Sequence, residues 1–464
     1  MFLLVVWSLK NQKHASPYSP SFAALCYNIH NMEDSNFIIH GDICWSKGPN
    51  ALETMAGAYL VCAGGKSAGA FSTLPEQYAN LPIIDCAGKL VIPGLVDLHA
   101  HAPQFSFRGL GMDMELLDWL SFHAFPEEEK YADPAYARQA YRLFADHIKH
   151  GPNTRFVIFA TIHIPATLIL MDVLEESGLV SMVGKVNMDR NCPDGLREES
   201  AAASLAATRE WLNSAGRYSR TRPILTPRFI PSCSDDLMRG LGALRREFGM
   251  PIQSHMSENR KEVEWVRELC PASGGYGAAY RDFDLFGSET RDEAPTVMAH
   301  CVWSDDAEIA LMAQRGVFTA HCPQSNANLS SGIAPVRRLL NAGVPAGLGS
   351  DIAGGTNSTI FRAMSDAIQV SKLRRPMLEI EEKALTLEEA FYLGTAGGGA
   401  FFGKAGMGYS GSFEPGFDFD ALVINDSNFA APFELSIRDR LERTVYISDS
   451  RYIIAKFVRG RKIF

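Results

Sequence analysis

No two of the nine cysteines form a Cys-x-x-Cys pair. Neither a zinc ribbon nor a disulfide framework is indicated, and an odd, scattered set fits a reducing cytoplasm. No stretch approaches the ~18 consecutive apolar residues that would span a bilayer, so no membrane partner is expected. Basic charge is also short, with 44 Lys and Arg against 53 Asp and Glu for a net charge of -9. The electrostatic footprint of a polyanion binder is therefore missing, and no nucleic acid partner is expected, although a free base or nucleoside stays open. Low-complexity tracts and longer repeats are absent. Met1 to Trp7 is apolar but has no basic flank and no clear cleavage site, so no secretory leader is read there. Residues 1–31 differ in composition from the rest of the chain. They are expected to be an N-terminal extension without a fixed fold, or to reflect a start placed upstream of the native one.

What is present is a long chain, 464 residues of which 46% are hydrophobic, enough for a barrel with a modest accessory layer. Its organising stretch is Val91-Ile-Pro-Gly-Leu-Val-Asp-Leu-His99-Ala-His101-Ala-Pro-Gln104. In a strand, residues i and i+2 face the same way, so His99 and His101 can aim at one ion. Neutral imidazole suits a divalent metal such as zinc.

Short apolar segments broken by glycine and polar turns run from Phe37 to Leu90 and return at Asp420-Ala-Leu-Val-Ile-Asn and Tyr452-Ile-Ile-Ala. They suggest a small β-sandwich built from both chain ends, residues 32–92 and 408–464. Between them, residues 93–407 alternate apolar runs with helical patterns, the signature of βα units. Candidate strands are Lys89 to Leu98, Thr154 to Phe159, Val180 to Val186, Pro223 to Arg228, Pro251 to His255, Thr296 to His300, Val317 to His321, and Pro345 to Ser350. Helix starts are expected at Asp133-Pro134, Ser304-Asp-Asp and Thr386-Leu-Glu-Glu, and left-handed helix ends at Gly151, Gly178 and Gly249. Eight such repeats close into a (β/α)₈ barrel, an α/β fold of the TIM type whose chemistry lies at the C-terminal ends of its strands. There the polar residues fall: His99 and His101, Arg228 with Phe229, His255 with Glu258 beyond it, His300, His321, and Asp351.

The combination of Pro93-Gly-Leu-Val-Asp-Leu-His-Ala-His101, His255-Met-Ser-Glu258, His321-Cys-Pro-Gln-Ser-Asn326 and Gly347-Leu-Gly-Ser-Asp351 resembles the amidohydrolase superfamily, in its mononuclear zinc branch. Within that branch the chain is most similar to the guanine deaminase family, through His101-Ala-Pro-Gln104, Leu116-Leu-Asp-Trp-Leu with Phe125-Pro-Glu, Thr226-Pro-Arg-Phe229 and Gln253-Ser-His-Met-Ser-Glu-Asn259. The resemblance spans about residues 37 to 464. It implies hydrolysis of guanine to xanthine and ammonia, in purine catabolism or salvage, by a cytoplasmic homodimer. It also implies one Zn²⁺ per chain on His99, His101, His255 and Asp351, with His300 beside them, and Gln104 and Arg228 as contacts to the purine base. Zinc would bring the pKa of a water from ~15.7 toward ~7. Glu258, three residues past His255, would move protons without being a ligand. Asp351 would take the water's proton and His300 would support the developing oxyanion. Phe229 and Trp119 offer flat walls beside His101, His255, Glu258 and Asp351, which also border the substrate. His321 is expected to be structural or to stand behind these groups.

Two departures from the family pattern stand out. A Tyr-Thr pair is replaced by His123-Ala, and a threonine-rich strand start by Gly151-Pro-Asn-Thr154; the first bears on the pocket wall. Three rival readings remain. One is a binuclear hydrolase bridged by a carboxylated Lys185. Another is a zinc aminohydrolase acting on a different aminopurine, 8-oxoguanine or a triazine, and the third is a barrel kept only as an inactive binding scaffold. The nucleobase deaminase architecture that carries Pro-Cys-x-x-Cys is excluded, because that element is missing.

Overall fold

Alternation of apolar and polar residues builds β1 (Phe37–Gly48), β2 (Ala51–Ala63), β3 (Lys66–Phe71) and β4 (Ile83–Pro93) in the computed structural model. It describes residues 35–290, 293–378, 380–429 and 431–464; the expected extension at 1–31 lies outside the described residues. The barrel strands follow as β5 (Leu95–His101), β6 (Asn153–Phe159), β7 (Val180–Gly184), β8 (Val186–Asn187), β9 (Thr221–Pro223) and β10 (Thr226–Pro227). They continue as β11 (Ile252–Met256), β12 (Thr296–His300), β13 (Phe318–His321) and β14 (Ala346–Leu348). Then β15 (Ala421–Ile424), β16 (Ile453–Val458) and β17 (Arg461–Lys462) return to the first sheet.

The strands before and after the barrel pair in one continuous seven-stranded sheet, ordered β17-β16-β15-β4-β1-β2-β3, where two sheets of a sandwich were expected. The seam is β4, which pairs in parallel with β1 on one edge and antiparallel with β15 on the other. One face gathers Phe37, Ile39, Leu60, Val91, Phe419 and Phe457 into a core of its own. The opposite face presents Leu90, Ile92, Leu422 and Ile424 to Ile360, Met364 and Phe391 of the barrel's outer helices. Burying each such side chain is worth about 1.5–3 kcal/mol, which fixes the sheet to the barrel.

The barrel strands are parallel and follow chain order, β5-β6-β7-β9 in one set and β11-β12-β13-β14 in the other. Leu225 bridges to Ile252 between the sets. Asp351 N donates to His99 O at 2.8 Å and His101 N to Ile352 O at 3.1 Å, which brings the segment after β14 beside β5. The (β/α)₈ expectation is met, with differences in detail. The apolar run from Lys89 belongs to two sheets, because the chain leaves β4 and enters β5 at Gly94. A Cβ there would stand 2.3 Å from Thr154 Cγ2, so only glycine permits the crossing. The third and fourth strands are each broken in two, and β8 pairs with β10 beyond the breaks.

Asp133 and Thr386 cap their helices as expected, but the third cap is Asp305, one residue after Ser304, accepting from Glu308 N. Gly178 and Gly249 end helices in the left-handed conformation, with φ of 80° and 62°. Gly151 does not; His150 is the cap there, and Gly151 N donates to Ile148 O in a tight turn. No helix among the described residues is long and apolar enough to cross a membrane.

Candidate active site

Strand β5 delivers His99 and His101, β11 His255, β12 His300, and the segment after β14 Asp351, all at C-terminal strand ends. Asp351 Oδ1 lies 3.2 Å from His99 Nε2 and 3.5 Å from His101 Nε2, and His101 Nε2 faces His255 Nε2 at 3.1 Å. His300 Nε2 lies 3.5 Å from Glu258 Oε2 and 3.8 Å from Asp351 Oδ2, and its Nδ1 is 2.9 Å from Asn326 Oδ1. Asp97, wholly buried behind them, accepts from the backbone N–H of His99 and Ser350 and so ties β5 to the segment after β14.

The donor set suits a divalent cation. His255 Nδ1 stands 2.6 Å from Arg228 O. A carbonyl only accepts, so Nδ1 carries the proton and Nε2 keeps its lone pair turned toward His101. His99 Nε2 is buried without a hydrogen-bond partner, since its approach to Asp351 lacks hydrogen-bond alignment. Burial drives the imidazoles of His99, His101 and His255 toward the neutral, ligating form. Ligand atoms of His99, His101 and Asp351 lie within 4.8 Å of one another, as do those of His99, His255 and His300. Burial opposes the charge on Asp351, but His99, His300 and His101 outweigh it and hold the carboxyl well below its usual range. Glu258 is pushed up to about 8, by burial first and the charge of Asp351 second.

The backbone around these groups is strained. Ser257, His300, Cys301 and Asp351 have φ of 50°, 75°, 50° and 46°, a region that side chains other than glycine's seldom enter and that clusters at functional sites.

A cavity opens on the cluster. Of the expected residues, His101, Gln104, Trp119, Arg228, Phe229, His255, Glu258, His300 and Asp351 line it, and His99 lies beneath. Leu116, Leu117, Leu120 and Leu329 add an apolar wall that no sequence period had singled out. His321 instead borders a separate cavity with Arg337 and Arg374, and both its ring nitrogens lack hydrogen-bond partners. Lys185 is buried in an ion pair with Glu198. Neither departure from the family pattern reaches the cavity: His123 stacks on Phe107, and Asn153 bonds Ser358 O and Ile360 N.

Two buried carboxylates escaped the reading of the sequence. Glu262 lines the cavity, accepts from Tyr276 Oη at 2.6 Å and from the backbone N–H of Glu258 and Asn259, and thereby holds the loop that carries Glu258. Glu128 grips Arg228 through both its oxygens, at 2.6 and 3.1 Å. Its sequence, Pro126-Glu-Glu-Glu, reads as a solvated acidic run, yet Glu127 and Glu128 are both buried.

The amidohydrolase family model matches residues 90–463. The chain is 38% identical over 387 residues to guanine deaminase of Dictyostelium discoideum, covering 82% of this chain and 84% of that protein. It is 37% identical over 386 residues to guanine deaminase of Homo sapiens, covering 81% and 83%. The crystal structure of guanine deaminase from C. acetobutylicum with guanine bound in its active site superposes with a TM-score of 0.88 at 43% identity, over 92% of this chain and 100% of that one. With the strand-end cluster and likeness of this extent in view, the chain belongs to the amidohydrolase family, in the company of its guanine deaminases.

Proposed function

We propose that the chain hydrolyses guanine to xanthine and ammonia, with one zinc ion held by His99, His101, His255 and Asp351. The observation that carries this reading is the convergence of three buried imidazoles on one carboxylate, with His99 Nε2 left without a hydrogen-bond partner and a second buried carboxyl, Glu258, beside them. A zinc ion in that set supplies hydroxide at neutral pH by acidifying a water.

The chain's own groups do the rest. Asp351 takes the proton that the attacking water gives up. Glu258 gives its proton to the ring nitrogen next to the reacting carbon, takes up the proton that Asp351 held and passes it to the exocyclic amine; the C–N bond breaks to release ammonia, and the proton left on the added oxygen returns to Glu258 as the carbonyl forms. Burial, with the charge of Asp351, raises Glu258 to about 8, close to the range in which a group both takes and gives protons at neutral pH. His300 supports the developing oxyanion from the side facing Glu258. Arg228 and Gln104 hold the purine edge, and Trp119, Phe229 and the leucines cover its faces and exclude water. A cytoplasmic homodimer belongs to the same proposal, supported by family resemblance and by the free state of the cysteines among the described residues.

The test is to incubate purified protein with guanine, measure xanthine and ammonia, and count metal ions. Equimolar products and one zinc per chain are expected. Release of ammonia only from another aminopurine or a triazine would transfer the activity to that substrate. No release from any of them would favour the inactive scaffold, and two ions per chain would revive the binuclear rival that the Lys185–Glu198 pair argues against.

A further inference from the structure

We propose that Glu128 is a positioning residue that fixes the hydrogen-bonding polarity of the cavity wall and so sets the preference for a purine bearing an oxo group. This rests on the reading of Arg228 and Gln104 as purine contacts.

Glu128 is 2% exposed and comes from the segment that also supplies Leu116, Leu117, Trp119 and Leu120 to the cavity. Its Oε2 accepts from Arg228 Nη1 at 2.6 Å; its Oε1 accepts from Arg228 Nη2 at 3.1 Å and from Gln104 Nε2 at 2.9 Å. On the far side of the same amide, Gln104 Oε1 accepts from Ala353 N at 3.1 Å.

The orientation of Gln104 is therefore determined at both ends, which a lone amide does not achieve. Two of the five guanidinium N–H groups go to Glu128, leaving the remainder as donors for a carbonyl oxygen. The carboxylate also neutralises a guanidinium that is itself buried, so the wall suits an uncharged base. A glutamine at this position keeps the size of Glu128 but replaces one acceptor with an N–H that opposes an arginine N–H. The fork is then broken, and Arg228 and Gln104 lose the geometry that selects the oxo group.

Two bases without the reacting amine, hypoxanthine and purine, differ in that oxo group and the ring N–H beside it, so their competitive inhibition of guanine turnover reads recognition of that edge. Glu128→Gln is expected to shrink the preference for hypoxanthine over purine about tenfold or more and to lower kcat/KM for guanine about 10- to 100-fold, mainly through KM, with zinc content unchanged. Adding Glu128→Gln to Arg228→Leu should give no further loss of preference, because Glu128 acts through Arg228.

If Arg228→Leu erases the preference while Glu128→Gln leaves it intact, Glu128 only supports the fold and the proposal is overturned. If Arg228→Leu itself leaves the preference intact, the contact reading fails first. Should Glu128→Gln not fold, Glu128→Asp serves instead. It keeps the charge but shortens the reach, and an unaltered preference in that folded variant also overturns the proposal.

Discussion

The barrel buries charged groups at both ends, and the two clusters are built on opposite terms. At the N-terminal end, Arg155 of β6 donates Nε to Asp420 and Nη2 to Asp418, both at 2.7 Å, and Nη1 to Met407 O and Gly408 O at 3.0 and 2.9 Å. Arg459 N closes on Asp420 Oδ1 at 2.8 Å. Each charged group there has its partner, and the network ties the barrel to the sheet made from the chain ends. At the C-terminal rim, His101 and His255 bring their Nε2 atoms within 3.1 Å of one another and His99 Nε2 has no hydrogen-bond partner, on a backbone that enters left-handed conformations. Burial is common to both. What separates a structural cluster from a reactive one is whether the hydrogen-bonding capacity has been used up.

The contrast breaks if substitutions at the two ends have like effects. The largest expected effect is at the rim: Glu258→Gln should lower kcat about 10²- to 10⁴-fold while leaving metal content and Tm nearly unchanged, since among the described residues its side chain accepts a hydrogen bond only from Ser331 Oγ, at 3.3 Å. Loss of the metal together with activity would show Glu258 to be a ligand instead. At the other end, Arg155→Leu should reduce stability by about 3–5 kcal/mol, because buried Asp420 loses its ion-pair partner and Asp418 keeps only Lys66 and Arg459. The folded fraction should keep the kcat/KM of the unaltered protein; a selective fall in turnover at full stability would join the two clusters and end the distinction.

A smaller effect sharpens the comparison through pH. Burial pushes Asp418 up, but the charge and hydrogen bond of Arg155, with Lys66 and Arg459, outweigh it and hold the carboxyl below its usual value. A carboxyl lowered in the folded state contributes stability that is complete above its unfolded pKa of about 3.9 and is lost as pH falls through the folded value. Denaturation measured from pH 6 down to pH 3 should therefore show stability falling in the acid range, more gently in Arg155→Leu. Coincident acid limbs for the two proteins would remove Arg155 as the cause.

Much of the rim was legible in the order of residues. His99 and His101 stand at i and i+2 at the end of an apolar run, and His255, His300 and Asp351 each close a short run of the βα repeat. These are local patterns, and local patterns survive in a string of letters. The break of strands three and four was not legible, nor was the passage of Lys89–His101 through two sheets, because hydropathy does not record which neighbour a buried strand pairs with. His321 illustrates the same limit: it ends its strand as the others do, yet lies against helices outside the cluster.

By itself, the amino-acid sequence determined the repeat that makes the barrel and the strand ends where its chemistry collects, since periodicity and strand-end chemistry are properties of neighbouring residues. Only the tertiary structure decided which lone pairs stay unspent and which acidic residue of Glu127-Glu-Glu turns inward to hold Arg228. Those outcomes depend on partners brought together across the chain, 100 residues apart in the case of Glu128 and Arg228, and on water being excluded from the space between them.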